Sequence, residues 1–226
     1  MKDINISRRN MLSRSLKTLS AASAVTVAAG LVKADELCRI TRQQPEGPFY
    51  PINQQADKDF DMTRVEGRHG GALGQKITLL GRVMDQNCEP VEGALVDIWQ
   101  ACASGKYNHP GDPNTADLDP NFQYWGQVFT NANGEYSFLT VKPGAYPAGD
   151  GWVRPPHIHM KVSLRGYKEL TTQVYFADEA ELNAEDRILQ SLPKEEQEHV
   201  TVNFVNKSPY ENYYAEGVFN PSIQKL

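Results

Sequence analysis

The sequence has no excess of positive charge. Its 23 basic residues are outnumbered by 28 acidic ones, and residues 1–34 hold six of the basic residues but only one of the acidic ones. Residues 35–226 therefore carry a net charge of −10. A segment this acidic does not attract phosphate backbones or anionic lipid surfaces. We expect neither nucleic acid nor a membrane as its partner.

The sequence also lacks a long apolar run. Residues 19–32 form a run of small and apolar side chains that is shorter than the roughly 20 residues of a transmembrane helix. The run follows the adjacent Arg8 and Arg9 and ends before Lys33-Ala34, an acceptable small-residue cleavage site. This pattern predicts a twin-arginine signal peptide over residues 1–34, with residues 35–226 exported to the periplasm or secreted. A retained membrane anchor is the alternative interpretation.

Cysteine is scarce, with only Cys38, Cys88 and Cys102 in the chain. No two of them form a Cys-x-x-Cys pair, which argues against a zinc site built from cysteine. In an exported protein, three cysteines are consistent with one disulfide and one free thiol. The sequence leaves the pairing open.

The chain is rich in β-strand patterns. Short runs of β-branched, aromatic and alternating apolar residues are separated by turn residues, and they predict strands over residues 77–84, 94–100, 135–141, 157–164, 170–176 and 199–205. Residues 179–186 look helical or loop-like and solvated, whereas residues 101–133 have little regular pattern. Six or more short strands indicate a β-sandwich or barrel, and a long irregular connection is usually functional.

Histidine is scarce as well, but two of the five histidines are closely spaced. His157 and His159 follow two prolines that disfavour a helix, so they are predicted to project from the same face of a strand. The alternative is that both histidines are simply polar residues on a solvent-exposed face of the strand. A histidine-rich copper or zinc site would need nearly all the other histidines. A cupin-type site would need a nearer glutamate than Glu169.

Two tyrosines complete a candidate ligand set with these histidines. Tyr107 and Tyr146 lie in predicted loops that leave the same end of two strands. Two phenolates and two imidazoles suit ferric iron better than zinc or copper. Taken singly, each tyrosine is equally consistent with simple loop packing. His109, two residues after Tyr107, is expected to lie outside the ligand set.

A series of ordered motifs resembles the intradiol ring-cleavage dioxygenases. The resemblance is closest to the iron-bearing β subunit of protocatechuate 3,4-dioxygenase and covers roughly residues 45–205. The specific part is the ordered combination of Gly-x-Tyr, Pro-x-Tyr-Pro and Arg-Pro-x-His-x-His. The matching segments are residues 46–50, 96–100, 105–107, 118–122, 142–147, 154–159 and 172–176.

The resemblance implies an all-β fold, a β-sandwich of two mixed or antiparallel sheets with long active-site loops, as the catalytic domain over residues 35–226. It also implies non-haem Fe(III) held by Tyr107, Tyr146, His157 and His159. By the same resemblance, Tyr146 leaves the metal when catechol binds and accepts a proton. Arg154 stabilises negative charge on the substrate, and Gln173 lines the pocket. The implied reaction inserts O2 into a small aromatic diol, with protocatechuate favoured, to give a cis,cis-muconate.

Several alternatives stay open. Another diol such as catechol or hydroxyquinol is the competing substrate, because Tyr124 and Trp125 stand where related sequences often have small residues. A non-catalytic exported β-sandwich that binds small aromatics is the competing function. Arg154 as a surface ion-pair partner is the competing role for that residue. The resemblance also leaves open a homo-oligomer or a hetero-oligomer.

Overall fold

The computed structural model describes residues 39–53, 55, 57–206 and 214–226. The predicted signal peptide over residues 1–34 lies outside the described residues, as does Cys38. In the part of the chain that is described, no helix is both long and apolar enough to cross a membrane.

The described chain consists mainly of strands, with short helices near its C-terminal end. The helices are α1 (Ala180–Glu185) and α2 (Lys194–Val200), with 3-10 turns at Ala177–Glu179 and Leu189–Ser191. The strands are β1 (Lys76–Arg82), β2 (Met84–Asp85), β3 (Leu95–Trp99), β4 (Trp125–Phe129), β5 (Glu135–Val141), β6 (Tyr146–Pro147), β7 (Val153–Arg154), β8 (His157–Ser163), β9 (Leu170–Phe176), β10 (Thr201–Val202), β11 (Ala215–Val218) and β12 (Ser222–Ile223).

Two mixed sheets form the body of the fold. The larger sheet has the strand order β10-β9-β8-β3-β4, in which β10 runs parallel to β9 and the other neighbours are antiparallel. The smaller sheet has the order β11-β1-β5, with β11 parallel to β1. Two-residue strands form the pairs β12-β2 and β6-β7. The predicted all-β fold with two mixed sheets is confirmed.

The hydrophobic core joins one face of each sheet. Ile158 and Met160 on β8 belong to the same buried cluster as Ile77 and Leu79 on β1 and Phe138 on β5. Side chains alternate between the two faces of a strand, so the neighbours of Ile158 and Met160 point to the opposite face of the larger sheet. That opposite face carries His157 and His159.

Two predicted elements were wrong. The strand expected over residues 199–205 is instead the end of α2 followed by the two-residue strand β10. Glu196 and Val200 are both buried, and their spacing of four residues is that of one helix face. The irregular stretch over residues 101–133 contains β4, which forms one edge of the larger sheet.

The prediction for residues 179–186 was half right. The segment is helical, as expected, but it is not wholly solvated, because Asn183 is buried and Asp186 is fully buried. The cysteine pattern of one disulfide and one thiol is confirmed. Cys88 is disulfide-bonded, and Cys102 is a buried free cysteine.

Candidate metal centre

Strand β8 presents both histidines on the face that points away from the core. Its register places Trp99 of β3 opposite His159, and it places Tyr175 and Gln173 of β9 opposite His157 and His159. The five side chains therefore lie together on one sheet face. His157 and His159 are almost completely buried, which rules out the alternative of polar residues on a wet strand.

The two imidazoles converge through their Nε2 atoms, which lie 3.2 Å apart. Nδ1 of His157 is 2.7 Å from the carbonyl oxygen of Pro155, so this nitrogen carries the proton and donates it. The Nε2 lone pair of His157 is consequently directed into the cluster. Nδ1 of His159 is buried and has no hydrogen-bond partner in the described part of the chain.

Tyr107 enters the cluster from the long loop after β3. Its backbone N–H donates to the Asp112 carboxylate at 2.7 Å, and its phenol oxygen lies 3.5 Å from Nε2 of His157. This loop lies against the loop that precedes β6. A Cβ atom at Gly105 would lie only 2.4 Å from the carbonyl oxygen of Ala145. Gly105 also has a positive φ of 81°, so glycine is needed there for both reasons.

Tyr146 lies on the short strand β6, where the sequence predicted a loop. It pairs across the β6-β7 hairpin with Arg154, and its ring centroid is 5.4 Å from that of Tyr107 in a T-shaped arrangement. Tyr146 also lies 5.7 Å from the His157 ring. The structure thus brings together the four residues that the sequence proposed as ligands.

Burial dominates the electrostatics of these four residues. It raises the pKa of Tyr107 well above its usual value, and the neighbouring Tyr146 adds to that shift. Burial also raises the pKa of Tyr146, while the charge of Arg154 and hydrogen bonds from Tyr107 and Arg154 act in the opposite direction. For the imidazoles, burial and then Arg154 lower the pKa of His157 well below its usual range and that of His159 to about 3.

This donor set fits a ferric ion. Neutral imidazoles offer their lone pairs at neutral pH, and a cation in the cluster would favour the charged phenolates that burial alone opposes. The described residues contain no group of three or more His, Cys, Asp and Glu suited to a metal. The protein donors that converge at this place are two tyrosines and two histidines.

Arg154 lies beside the cluster as a buried residue rather than a surface partner. Its Nη2 donates to Oε1 of Gln173 at 2.6 Å, and the amide of Gln173 donates to the carbonyl oxygen of Pro45 at 2.9 Å. Gln173 is fully buried and is held between the guanidinium and the N-terminal segment. It is 2 residues from Tyr175, whose hydroxyl donates to the same Oε1 at 3.1 Å.

Trp99 supports the histidines from β3. Its ring stacks on His159 with a centroid distance of 4.8 Å and an interplanar angle of 7°. Tyr50 packs edge-on against Trp99 at 4.8 Å and donates to the buried Asp97 carboxylate at 2.9 Å. The Trp125 indole donates to the same carboxylate at 2.6 Å, so Trp125 is a packing residue.

The remaining aromatic and histidine candidates lie around this cluster. The His109 ring is tilted against that of Phe49 with 5.7 Å between centroids, and its Nδ1 accepts the N–H of Gly111, consistent with its expected place outside the ligand set. A cavity of about 30 Å³ reaches Tyr107 and Trp99. It shares Tyr124 with a larger cavity of about 630 Å³, and Tyr124 is also a buried member of the hydrophobic core.

The sequence analysis gave no role at the site to Asp186 or to Tyr175. Asp186 accepts a hydrogen bond from Nε of Arg154 at 2.7 Å, and Tyr175 lies 3.3 Å from Nη2 of Arg154. Neither residue belongs to a recognisable spacing with Arg154. Only the requirement that a buried guanidinium has an anionic partner could have indicated that one of the acidic residues is buried.

Comparison with known proteins identifies relatives along most of the chain. The family model described as Dioxygenase matches residues 45–216. The protocatechuate 3,4-dioxygenase beta chain of Burkholderia cepacia is 40% identical over 161 residues, which are 70% of this chain and 68% of the relative. The protocatechuate 3,4-dioxygenase alpha chain of Pseudomonas putida is 32% identical over 164 residues, 70% of this chain and 79% of the relative.

Solved structures share the fold. The dioxygenase domain of a dioxygenase carbohydrate-binding protein fusion from Streptomyces sp. is 27% identical, with a TM-score of 0.61 over 83% of this chain and 99% of that chain. The 3-chlorocatechol 1,2-dioxygenase of Rhodococcus opacus has a TM-score of 0.67 over 85% of this chain and 76% of its own, at 23% identity.

Proposed function

The chain belongs to the intradiol ring-cleavage dioxygenase family, and from this membership we propose that it is an Fe(III)-dependent enzyme that inserts O2 into a catechol to give a cis,cis-muconate. The observation that carries the proposal is the convergence of two tyrosines and two histidines in one buried cluster beside a buried arginine. A binding module that only holds aromatics has no use for such a set.

Tyr107, Tyr146, His157 and His159 are the residues that would hold the metal. When bound there, ferric iron supplies a centre that binds the catechol oxygens and withdraws electron density from the ring, so that the ring reacts with O2. The depressed pKa values of His157 and His159 keep both imidazoles neutral and available as ligands. The hydrogen bond from His157 Nδ1 to Pro155 fixes which nitrogen of that ring is available.

Tyr146 is the proposed proton acceptor. A phenolate at this position accepts a proton from a catechol hydroxyl at its own oxygen, which makes it the general base. The charge of the neighbouring Arg154 opposes the rise that burial causes in the pKa of Tyr146, and so lowers the cost of the negative charge before the proton arrives.

Arg154 is the proposed charge stabiliser, and Gln173 holds it in place. The guanidinium is buried, so its charge acts on a developing oxyanion with little screening by water. Because Gln173 accepts from Arg154 and donates to Pro45, the arginine is oriented before substrate arrives. Phe49 packs on Tyr107 with 4.8 Å between the two ring centroids.

Protocatechuate is the favoured substrate, and the support for it is the relative from Burkholderia cepacia. Catechol and hydroxyquinol are the competing diols. The alpha and beta chains of protocatechuate 3,4-dioxygenase are both relatives, which supports an oligomer of this chain alone or with a second subunit.

The direct test is oxygen uptake by the iron-loaded protein with these three diols. We expect one O2 consumed per diol, a muconate product detected by its ultraviolet absorbance, and the highest kcat/KM with protocatechuate. Oxygen uptake that is higher with another diol would revise the substrate only. An iron-containing protein that binds catechols without consuming O2 would instead support the binding module.

Export through the twin-arginine route is part of the proposal and rests on residues 1–34. Changing Arg8 and Arg9 together to lysine keeps the charge but removes the paired guanidinium groups, which a receptor distinguishes from ammonium groups. We expect the uncut precursor to accumulate in the cytoplasm, as seen by immunoblotting of cell fractions. Arg14→Lys is the matched control and should be processed normally. Normal processing of the double variant would instead indicate an ordinary secretory signal.

A further inference from the structure

Asp186 is an acidic residue that neither the motifs nor the ligand set accounts for. It follows α1 directly, and its side chain is fully buried. We propose that Asp186 is a positioning residue, which fixes the guanidinium of Arg154 in the orientation that faces the substrate. This inference rests on the proposed function, in which Arg154 stabilises charge on the substrate.

Two nitrogens of the guanidinium are held by protein groups. Nε donates to Oδ2 of Asp186 at 2.7 Å, and Nη2 donates to Gln173 at 2.6 Å and to the Tyr175 hydroxyl at 3.3 Å. A guanidinium is planar, so hydrogen bonds from two of its nitrogens to separate partners fix both its position and its tilt. The ring of Trp152 lies 5.3 Å from the guanidinium carbon and covers one face of the group.

Asp186 is itself held rigidly. Its other oxygen, Oδ1, accepts the backbone N–H groups of Ile188 at 3.1 Å and Leu189 at 2.7 Å, at the start of a 3-10 turn. Oδ1 thus accepts from the backbone, with the Tyr175 hydroxyl 3.5 Å away, and Oδ2 accepts from Arg154. The orientation of the arginine is consequently coupled to the segment that follows α1.

Stability alone does not explain this ion pair. The Arg154 and Asp186 side chains are only 5% and 0% exposed, and removing two charges from water costs about as much as their attraction returns. Lys142 and Asp178 form a pair of similar length, 2.8 Å, in which Asp178 is 66% exposed. Asp178 therefore provides a matched control: the same residue type paired with a cation, but in solvent and away from the ligand set.

The first test compares Asp186→Asn with Asp178→Asn. Asparagine keeps an oxygen for the backbone N–H groups but removes the charge that holds Nε. We expect Asp186→Asn to lower kcat by roughly 10²-fold, the effect of misplacing a catalytic group by about 1 Å, with KM nearly unchanged. Its iron content and visible absorption should equal those of the parent, and Asp178→Asn should match the parent in all respects.

The second test is a double-mutant cycle with Arg154→Gln. If Asp186 acts through Arg154, Asp186→Asn causes no further loss of kcat once Arg154 is replaced. The urea concentration at the midpoint of unfolding supplies a readout that is independent of activity. Arg154→Gln leaves a buried carboxylate without its cation and should lower the midpoint, whereas adding Asp186→Asn should raise it again.

Asp186→Glu separates orientation from charge, because it keeps the carboxylate but moves it by one methylene. We expect it to fold, to retain iron and to lose kcat. The inference is overturned if Asp186→Asn or Asp186→Glu retains the parent's kcat, if the losses in the cycle multiply, or if Asp178→Asn loses as much activity. If the unmodified protein cleaves no diol, the proposed function and this inference fail together. That outcome differs from failure of the inference alone, in which the unmodified protein still cleaves a diol.

Discussion

The two faces of the five-stranded sheet bury different kinds of side chain. Along β8, Ile158 and Met160 point into the apolar core, whereas His157 and His159 point into the candidate metal centre. All four side chains are almost completely buried. The alternation of one strand therefore places a stabilising residue and a functional residue next to each other, and substitutions on the two faces should have separable effects.

Burying the outer face costs more free energy than burying the core face. The buried polar groups of the outer face must find partners, and most do: the Asp97 carboxylate accepts hydrogen bonds from Tyr50, Trp125 and Gln127. The core face needs only complementary packing. We therefore expect substitutions on the core face to act on stability and those on the outer face to act on the proposed chemistry.

Tyr146→Phe should give the largest effect on the outer face. It removes the proposed base while keeping the ring and its packing, so we expect catechol to bind at least about 10²-fold more slowly, within the range attributed to a general base. Rapid-mixing absorption spectra under anaerobic conditions would measure this.

Tyr136→Phe is the matched control on β5, where the hydroxyl only donates to the carbonyl oxygen of Phe219. It should bind catechol at the parent's rate. If Tyr146→Phe binds catechol as fast as the parent does, Tyr146 is not the base. The assignment of the metal ligands would be unaffected.

Ile158→Ala should affect the core face alone. Truncating a fully buried isoleucine costs about 2–5 kcal/mol of unfolding free energy. Because its neighbours face the other way, iron content and kcat below the unfolding temperature should stay near those of the parent. Urea unfolding and iron analysis on the same sample would check both. Loss of iron together with stability would show that the two faces are not separable.

The free energy of unfolding of the metal-free protein should depend on pH because of His159 on the outer face. We expect this effect to be the smallest of the three. The folded protein lowers the pKa of His159 from 6.5 to about 3, so the unfolded state binds more protons below pH 6.5. His159 then contributes stability above pH 6.5 that is lost progressively as the pH falls toward 3, by up to about 1.4 kcal/mol per pH unit.

Comparing urea unfolding of the parent with that of His159→Phe between pH 7 and 5 would isolate this contribution. The variant should show a shallower decline, whereas Ile158→Ala should keep the parent's slope. Identical slopes for the parent and His159→Phe would contradict the burial of a neutral imidazole.

The strands that could be predicted from the sequence are those with a clear alternation. Residues 135–141 and 170–176 were predicted with the bounds that β5 and β9 have. The pattern failed at residues 199–205, where His199 and Val200 belong to α2 because Glu196 and Val200 bury one face of that helix. Tertiary packing overrode the local preference there, and the two-residue strands were too short for any periodicity.

The candidate ligands could be found because each belongs to a local motif. Gly-x-Tyr, Pro-x-Tyr-Pro and His-x-His contain the residues that the fold brings together. Asp186 could not be found in this way, since 32 positions separate it from Arg154 and its surroundings in the sequence are those of a solvated helix. Long-range pairing of charges leaves no periodic signal.

The iron-to-protein ratio in His159→Ala and Ile158→Ala would show whether the outer face of the sheet binds the metal, because the two substitutions are adjacent on β8 but face opposite sides of the sheet. Both proteins would be purified under the same conditions, with folding checked by circular dichroism. We expect His159→Ala to fold but to lose its iron and its visible colour, while Ile158→Ala retains both. Iron bound to the same stoichiometry in His159→Ala as in the parent would contradict this expectation.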